Sequence, residues 1–224
     1  MDIQAFIFDL DGVITDTAEL HYHSWKRLAD DEGLFFSHEL NDRLRGVERR
    51  QSIQRILDAN ALTDVDEATI RAWMQRKQVY YIDLLEQITP DAALPGVREI
   101  IKAARASGIK TAIASGSRNV RPVLARLEML DLFDALGDAN TVVNPKPNRD
   151  LFVWIAGRLD VSPAQAVVFE DAYDGVKAAR AGGFWTVGLG ALVNVHNAHI
   201  YLPDLADATL MTVMEHVAAV ATSA

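Results

Sequence analysis

Five short apolar runs, rich in β-branched and small residues, set what this chain can fold into: 5 to 8 (AFIF), 110 to 114 (KTAIA), roughly 133 to 136, 166 to 169 (AVVF) and 185 to 189 (WTVGL). Amphipathic stretches separate the later runs, and helices are expected at 119 to 129, 150 to 159 and 172 to 181. Strand-length runs alternating with helices are the mark of βαβ units, so the expected fold is α/β, a doubly wound parallel sheet with a Rossmann-like core. The alternation fails once. About 100 residues lie between the first and second runs, where a helical crossover needs only a dozen or more. Residues 17 to 88 read almost wholly as amphipathic helix, with no strand-like alternation, and so form an inserted helical cap domain. The expected division is a core of residues 1–16 and 90–224 and a cap of residues 17–89. Residues 14–17 and 88–95 are the hinge candidates, the second punctuated by Pro90, Pro95 and the adjacent Gly96.

Composition narrows the function classes. With 22 basic against 31 acidic residues in 224, the net charge of −9 repels polyanions, which argues against nucleic acid as a partner. The most apolar stretch, 182 to 193, falls short of the roughly 18 residues a membrane helix needs. No basic and apolar leader opens the sequence, and cytoplasm is the expected location. There is no cysteine, which excludes disulfides, thiolate ligands and a cysteine nucleophile.

Chemistry-bearing residues gather where the runs end. Asp9 and Asp11 close the first run; residues i and i+2 of an extended chain point the same way, so both carboxylates face the sheet edge where open α/β sheets bind ligands. An Asx turn ending in Gly12 explains the same pattern without function. The second run leads into Ser115-Gly116-Ser117-Arg118-Asn119, whose hydroxyls and backbone N–H groups suit a phosphate, although a helix N-cap accounts for Ser117 alone. Lys146 follows the third run between two prolines, and Glu170-Asp171 ends the fourth. A hard divalent cation held by carboxylates, with a phosphate neutralised by the metal, lysine and serine, accounts for all four run ends together.

Phe8-Asp9-Leu10-Asp11-Gly12-Val13, Ser115, Lys146-Pro147 and Glu170-Asp171 resemble the four motifs of the haloacid dehalogenase superfamily of phosphotransferases. The segments LRGVERRQSIQRIL, RKQVYY, LPGV and ASGSRN resemble the sugar-phosphate mutases of that family, up to about residue 190. The resemblance implies the strand order 3-2-1-4-5, Asp9 as nucleophile and Asp11 as general acid and base. It implies Mg2+ held by Asp9, Asp11 and Asp171 with Glu170 adjacent, and Ser115, Gly116 and Lys146 on the transferring phosphate. It places Arg49 with Ser117, Arg118 and Asn119 on the distal phosphate. Thr17 and His21 would couple the cap to Asp11 and orient the sugar, and Trp25, Arg45, Gly46, Val47, Ser52 and Lys77 would line or support the cap face.

The implied reaction interconverts β-D-glucose 1-phosphate and glucose 6-phosphate in a monomer, with β-glucose 1,6-bisphosphate as primer and intermediate. A phosphatase on the same scaffold and a catalytically silent sugar-phosphate binder are the alternatives. Read without the family, His21 and Trp25, four apart, are equally core packing, and Arg45, Arg49 and Arg50 a solvated helix face. The chain departs from the family pattern at Arg45, typically lysine, at Gly116, often alanine, and at Asn148-Arg149. Its tail after residue 190 matches only weakly, and His196 and His199, with no carboxylate at ligand spacing, are expected on the surface.

Overall fold

The computed structural model describes residues 2–44, 49–144 and 146–223. The chain divides into two compact units, residues 1–16 with 90–224, and residues 17–89.

The larger unit is built on six parallel strands, β1 (Ala5–Phe8), β2 (Lys110–Ala114), β3 (Ala135–Gly137), β4 (Ala166–Glu170), β5 (Trp185–Leu189) and β6 (Ile200–Leu202). They lie in the order β3-β2-β1-β4-β5-β6. Every residue of β1 and β4 is buried, as a strand covered on both faces requires. One face carries Phe6, Phe8 and Phe169. Phe8 and Phe169 are register partners and stack with centroids 4.6 Å apart. On the other face Ala5, Ile7, Ala112, Ala114 and Val168 pack under Leu151, Phe152, Ile155, Ala178 and Phe184. These last come from α7 (Asp150–Leu159), α8 (Tyr173–Ala181) and the turn after α8. Helices α5 (Val97–Ala106) and α6 (Val120–Arg126) complete the expected alternation. α5 carries Val97, Ile100, Ile101 and Ala104 on its buried side, a 3.6-residue stripe.

The third strand sits two residues later than expected at its start, and β6 was not anticipated at all. Three residues between His199 and Pro203 give too little pattern to read, and an edge strand needs only one partner. His199 corrects the expectation of a surface histidine. Its Nδ1 accepts from the Thr186 N–H at 3.2 Å and its own N–H donates to Thr186 Oγ1 at 3.0 Å, extending the β5–β6 pairing by one step. Burial first, and then the Arg180 charge, hold its pKa below the ordinary histidine value. His196 is exposed and stacks on Tyr173.

After Leu10 the chain turns sharply: Gly12, at φ +84°, donates to the Thr15 carbonyl at 2.8 Å. The two segments flanking the insert are then tied together. Leu94 N–H donates to the Ile14 carbonyl at 2.9 Å, and Thr15 Oγ1 donates to the Ala92 carbonyl at 2.6 Å.

The smaller unit is helical: α1 (Ala18–Glu32), α2 (His38–Asp42), α3 (Arg49–Ala59) and α4 (Glu67–Leu85). Its apolar stripes meet in a core of Trp25, Leu28, Phe36, Leu40, Ile53, Ile56, Leu57 and Ile70. The boundaries have local causes. Gly33 takes the left-handed conformation that ends α1, Ser37 Oγ accepts from Leu40 N–H at 3.2 Å, and Asp66 accepts from Ala68 and Thr69 at 2.9 Å each. α1 and α4 are laced by Tyr80 Oη on Asp31, at 2.6 Å, and by an Arg76–Glu32 ion pair. No helix among the described residues is long and apolar enough to cross a membrane.

Candidate active site

The registers bring the expected residues of the larger unit to one sheet edge. Phe8 pairs with Phe169 in β4 and with Ile113 in β2, so Asp9 stands level with Glu170, and Ser115 lies one residue beyond Ala114. Asp9 N–H continues the ladder to the Phe169 carbonyl at 2.9 Å, which fixes the backbone under its carboxylate.

Lys146 reaches this edge from the loop after β3 and is buried with Asp9 and Glu170. Its Nζ donates to Asp9 Oδ1 at 2.6 Å and to Glu170 Oε1 at 2.5 Å, and lies 4.8 Å from the Phe152 ring centroid. Asp9 Oδ2 accepts from Asp11 N–H at 3.1 Å, and Glu170 Oε2 from Ala172 N–H at 3.0 Å. Two of the glycines exist for this packing. A Cβ on Gly175 would stand 1.9 Å from Glu170 Oε1, and one on Gly12 would stand 2.1 Å from Asp171 Oδ2. In the neighbouring loop the Ser117 N–H donates to Ser115 Oγ at 3.0 Å and the Asn119 N–H to Ser117 Oγ at 3.2 Å.

Charge balance explains the protonation of the cluster. Burial above all, and then the Glu170 and Asp11 charges, push Asp9 up to about 7 against the pull of Lys146. Burial opposes the Lys146 ammonium too, but Asp9 and Glu170 together hold its pKa above the usual lysine value. With carboxylates outnumbering the ammonium, the cluster takes up its proton on an acid while Lys146 stays charged.

The donor set fits a hard divalent cation. The Asp171 carboxylate lies against Gly12 and one Asp9 oxygen against the Asp11 N–H, so two carboxylates flank the Asp11–Gly12 peptide. Among the described residues no three histidine, aspartate or glutamate side chains form a cluster that could hold a metal by themselves. Both Glu170 oxygens accept hydrogen bonds, one from Lys146 and one from the Ala172 N–H, just as both Asp9 oxygens do.

In the smaller unit the expected residues fall into two groups. Lys77, buried, lies 2.9 Å from His21 Nδ1 and over the rings of Trp25 and Tyr81 at 5.1 and 4.7 Å. Burial first, and then the Lys77 and Arg49 charges, hold His21 well below the histidine range. A neutral His21 accepts from the ammonium at Nδ1 and keeps its proton on Nε2, where it is a donor. Trp25 belongs to the cap core, and its indole supports Lys77. Arg49, at the start of α3, donates to Gln78 Oε1 of α4. Thr17 and Ser52 are buried, Thr17 accepting at its carbonyl from the His21 N–H. Arg45, Gly46 and Val47 lie outside the described residues.

Tyr81 and Gln78 escaped the sequence reading, although Tyr81, four residues after Lys77, lies on the same helix face. The Arg149 departure has a structural use: its guanidinium donates to the Ala181 carbonyl at the end of α8, at 3.2 Å.

Comparison with known proteins identifies the family. A family model described as haloacid dehalogenase-like hydrolase matches residues 3–183. The chain is 38% identical over 209 residues to a β-phosphoglucomutase of Bacillus subtilis, covering 93% of this chain and 92% of that protein. It is also 33% identical over 184 residues to a phosphorylated carbohydrates phosphatase of Thermotoga maritima, covering 81% and 82%. The crystal structure of β-phosphoglucomutase from Clostridium difficile superimposes with a TM-score of 0.93 at 32% identity, covering 98% of this chain and 99% of that one. The chain is an enzyme that belongs to the haloacid dehalogenase-like hydrolase family, in which it is a homologue of β-phosphoglucomutase.

Proposed function

We propose that the chain is a β-phosphoglucomutase, isomerising β-D-glucose 1-phosphate and glucose 6-phosphate through a phosphorylated Asp9. The observation that carries the chemistry is the buried Lys146 bridging Asp9 and Glu170 at the sheet edge. It holds the Asp9 carboxylate in one orientation and places a cation where phosphoryl charge develops. The likeness to the Bacillus subtilis enzyme over nearly the whole chain, insert included, favours a sugar hydroxyl rather than water as acceptor.

In this reading Asp9 and Asp171, with the Asp11 carbonyl, would hold Mg2+, which would supply neutralisation of phosphoryl charge. Glu170 is assigned to Lys146. Starting from phospho-Asp9, the C6 hydroxyl of β-glucose 1-phosphate attacks phosphorus, Asp11 takes the hydroxyl proton, and the Asp9–phosphorus bond breaks to give the 1,6-bisphosphate. After the bisphosphate turns round, Asp9 attacks the C1 phosphoryl group. The bond from phosphorus to O1 breaks, Asp11 returns its proton to O1, and glucose 6-phosphate leaves. Ser115, the Gly116 N–H and Lys146 hold the transferring group. Arg49, steadied by Gln78, and Ser117, Arg118 and Asn119 grip the other phosphate. The neutral His21 offers its Nε2 proton to the sugar. Ser52, buried in α3, supports the cap, and Arg45, Gly46 and Val47 are assigned to sugar binding by the family resemblance alone.

A second reading, a sugar-phosphate phosphatase, is favoured by the Thermotoga maritima relative and uses the same residues with water as acceptor. ³¹P NMR of the protein with Mg2+, β-glucose 1-phosphate and a trace of the 1,6-bisphosphate separates the two. Glucose 6-phosphate accumulating with little free phosphate is the expected result; free phosphate as the main product overturns the mutase reading.

A further inference from the structure

Arg121 stands where nothing in the fold rewards a cation. Helix α6 turns Val120, Val123 and Leu124 into the core, which leaves Arg121 on its exposed side. It occupies the first turn, where helix polarity disfavours positive charge, and Arg118, three residues earlier, adds a like charge. Arg126, in the last turn, has the favourable placement by contrast. No hydrogen bond or ion pair of the Arg121 side chain is present among the described residues. A local rule broken without structural compensation points to function.

Its place in the chain supplies one. Arg121 lies two residues beyond Asn119, at the end of the loop that leads from β2 and from the sheet edge holding Asp9. The whole chain carries −9, so a phosphate dianion is repelled at long range. Lys146 does not offset this, because it is ion-paired with Asp9 and Glu170. Long-range attraction falls to exposed cations near the loop, which are Arg118, already assigned to phosphate, and Arg121.

We propose that Arg121 is a steering residue that draws phosphorylated sugars toward the Ser115–Asn119 loop and weights capture toward ligands bearing two phosphates. The inference deepens the phosphoryl-transfer reading and rests on it. Steering acts on association, so its signature is a rate that depends on ionic strength, with the saturated rate untouched.

The test is rapid-quench measurement of phospho-Asp9 formation from β-glucose 1,6-bisphosphate and from acetyl phosphate, at low and high salt, in the wild type and in Arg121→Glu, Arg121→Gln and Arg121→Lys. At low salt Arg121→Glu should lower the second-order rate for the bisphosphate about ten-fold, with Arg121→Gln intermediate and Arg121→Lys near wild type. The loss should be smaller for acetyl phosphate and vanish at high salt, with melting temperature and saturated rate unchanged. Equal low-salt rates in all four proteins, or a loss that persists at high salt, would overturn the proposal. If neither donor phosphorylates wild-type Asp9, the phosphoryl-transfer reading fails instead, and the steering role falls with it.

Discussion

Gly175 and Glu170 are fitted to one another: a Cβ at position 175 would stand 1.9 Å from Glu170 Oε1, the oxygen that accepts from Lys146. Gly175→Ala therefore sets two effects against each other. Alanine favours helix α8 by about 0.5–1 kcal/mol, but displacing a buried carboxylate costs about 1–3 kcal/mol. Circular dichroism should show an intact helix content and a modestly lower melting temperature. Phosphoenzyme formation should fall by about 100-fold as Lys146 loses its anchor. Full activity in this variant would show that Glu170 does not position Lys146.

Lys146→Met removes the cation and leaves two buried carboxylates facing one another. The expected loss of stability at neutral pH is about 3–5 kcal/mol by urea titration. Its pH dependence follows from the raised Asp9 pKa. In the window between 3.8 and about 7 the folded state binds a proton that the unfolded state does not, so stability rises as pH falls through that window. Lys146 pulls the Asp9 pKa down, so its removal raises that pKa further and the variant gains more than the wild type on acidification. Its deficit should shrink toward pH 4, whereas a constant deficit would count against the charge argument.

His21 carries the opposite sign. Its folded pKa lies below the ordinary 6.5, so the unfolded state binds the extra proton. Its contribution is complete above 6.5 and is lost as pH falls toward the folded pKa. The wild type should lose melting temperature faster between pH 6.5 and 5 than His21→Asn, which retains an acceptor for Lys77 but cannot titrate. Parallel curves would remove His21 as a source of acid sensitivity.

Metal loading separates the two neighbouring acids. Saturating Mg2+ should raise the melting temperature of the wild type, since a ligand of the folded state alone stabilises it. Asp171→Asn should abolish that rise. Glu170→Gln should keep it while losing phosphoenzyme formation, because Glu170 is assigned to the lysine. A lost rise in Glu170→Gln would return that residue to the metal set.

Much of the site was legible because it is local. Asp9 and Asp11 were readable from the two-residue period of a strand, and the insert from the wrong spacing between β1 and β2. The salt bridge from Lys146 to Asp9 spans 137 residues, and only the register of β1 with β4 shows that Glu170 shares it. Periodicity carries no information of that kind. Sequence adjacency of Glu170 to Asp171 gives no sign that Glu170 is the one that meets Lys146. His199 looked like surface because the strand beside it is too short to leave a pattern. Tyr81 carries a readable signal, the four-residue spacing that puts it on the helix face of Lys77.

The hydrogen bonds joining Ile14 to Leu94 and Thr15 to Ala92 mean that the core clasps the two ends of the insert by itself. The two flanking segments are thus held without help from the insert, and lengthening what lies between costs only the slow logarithm of loop length. Residues 17–89 are in this sense a cassette. A folded segment whose ends lie side by side would meet the same two hydrogen bonds, which makes this clasp the natural graft point for a different insert.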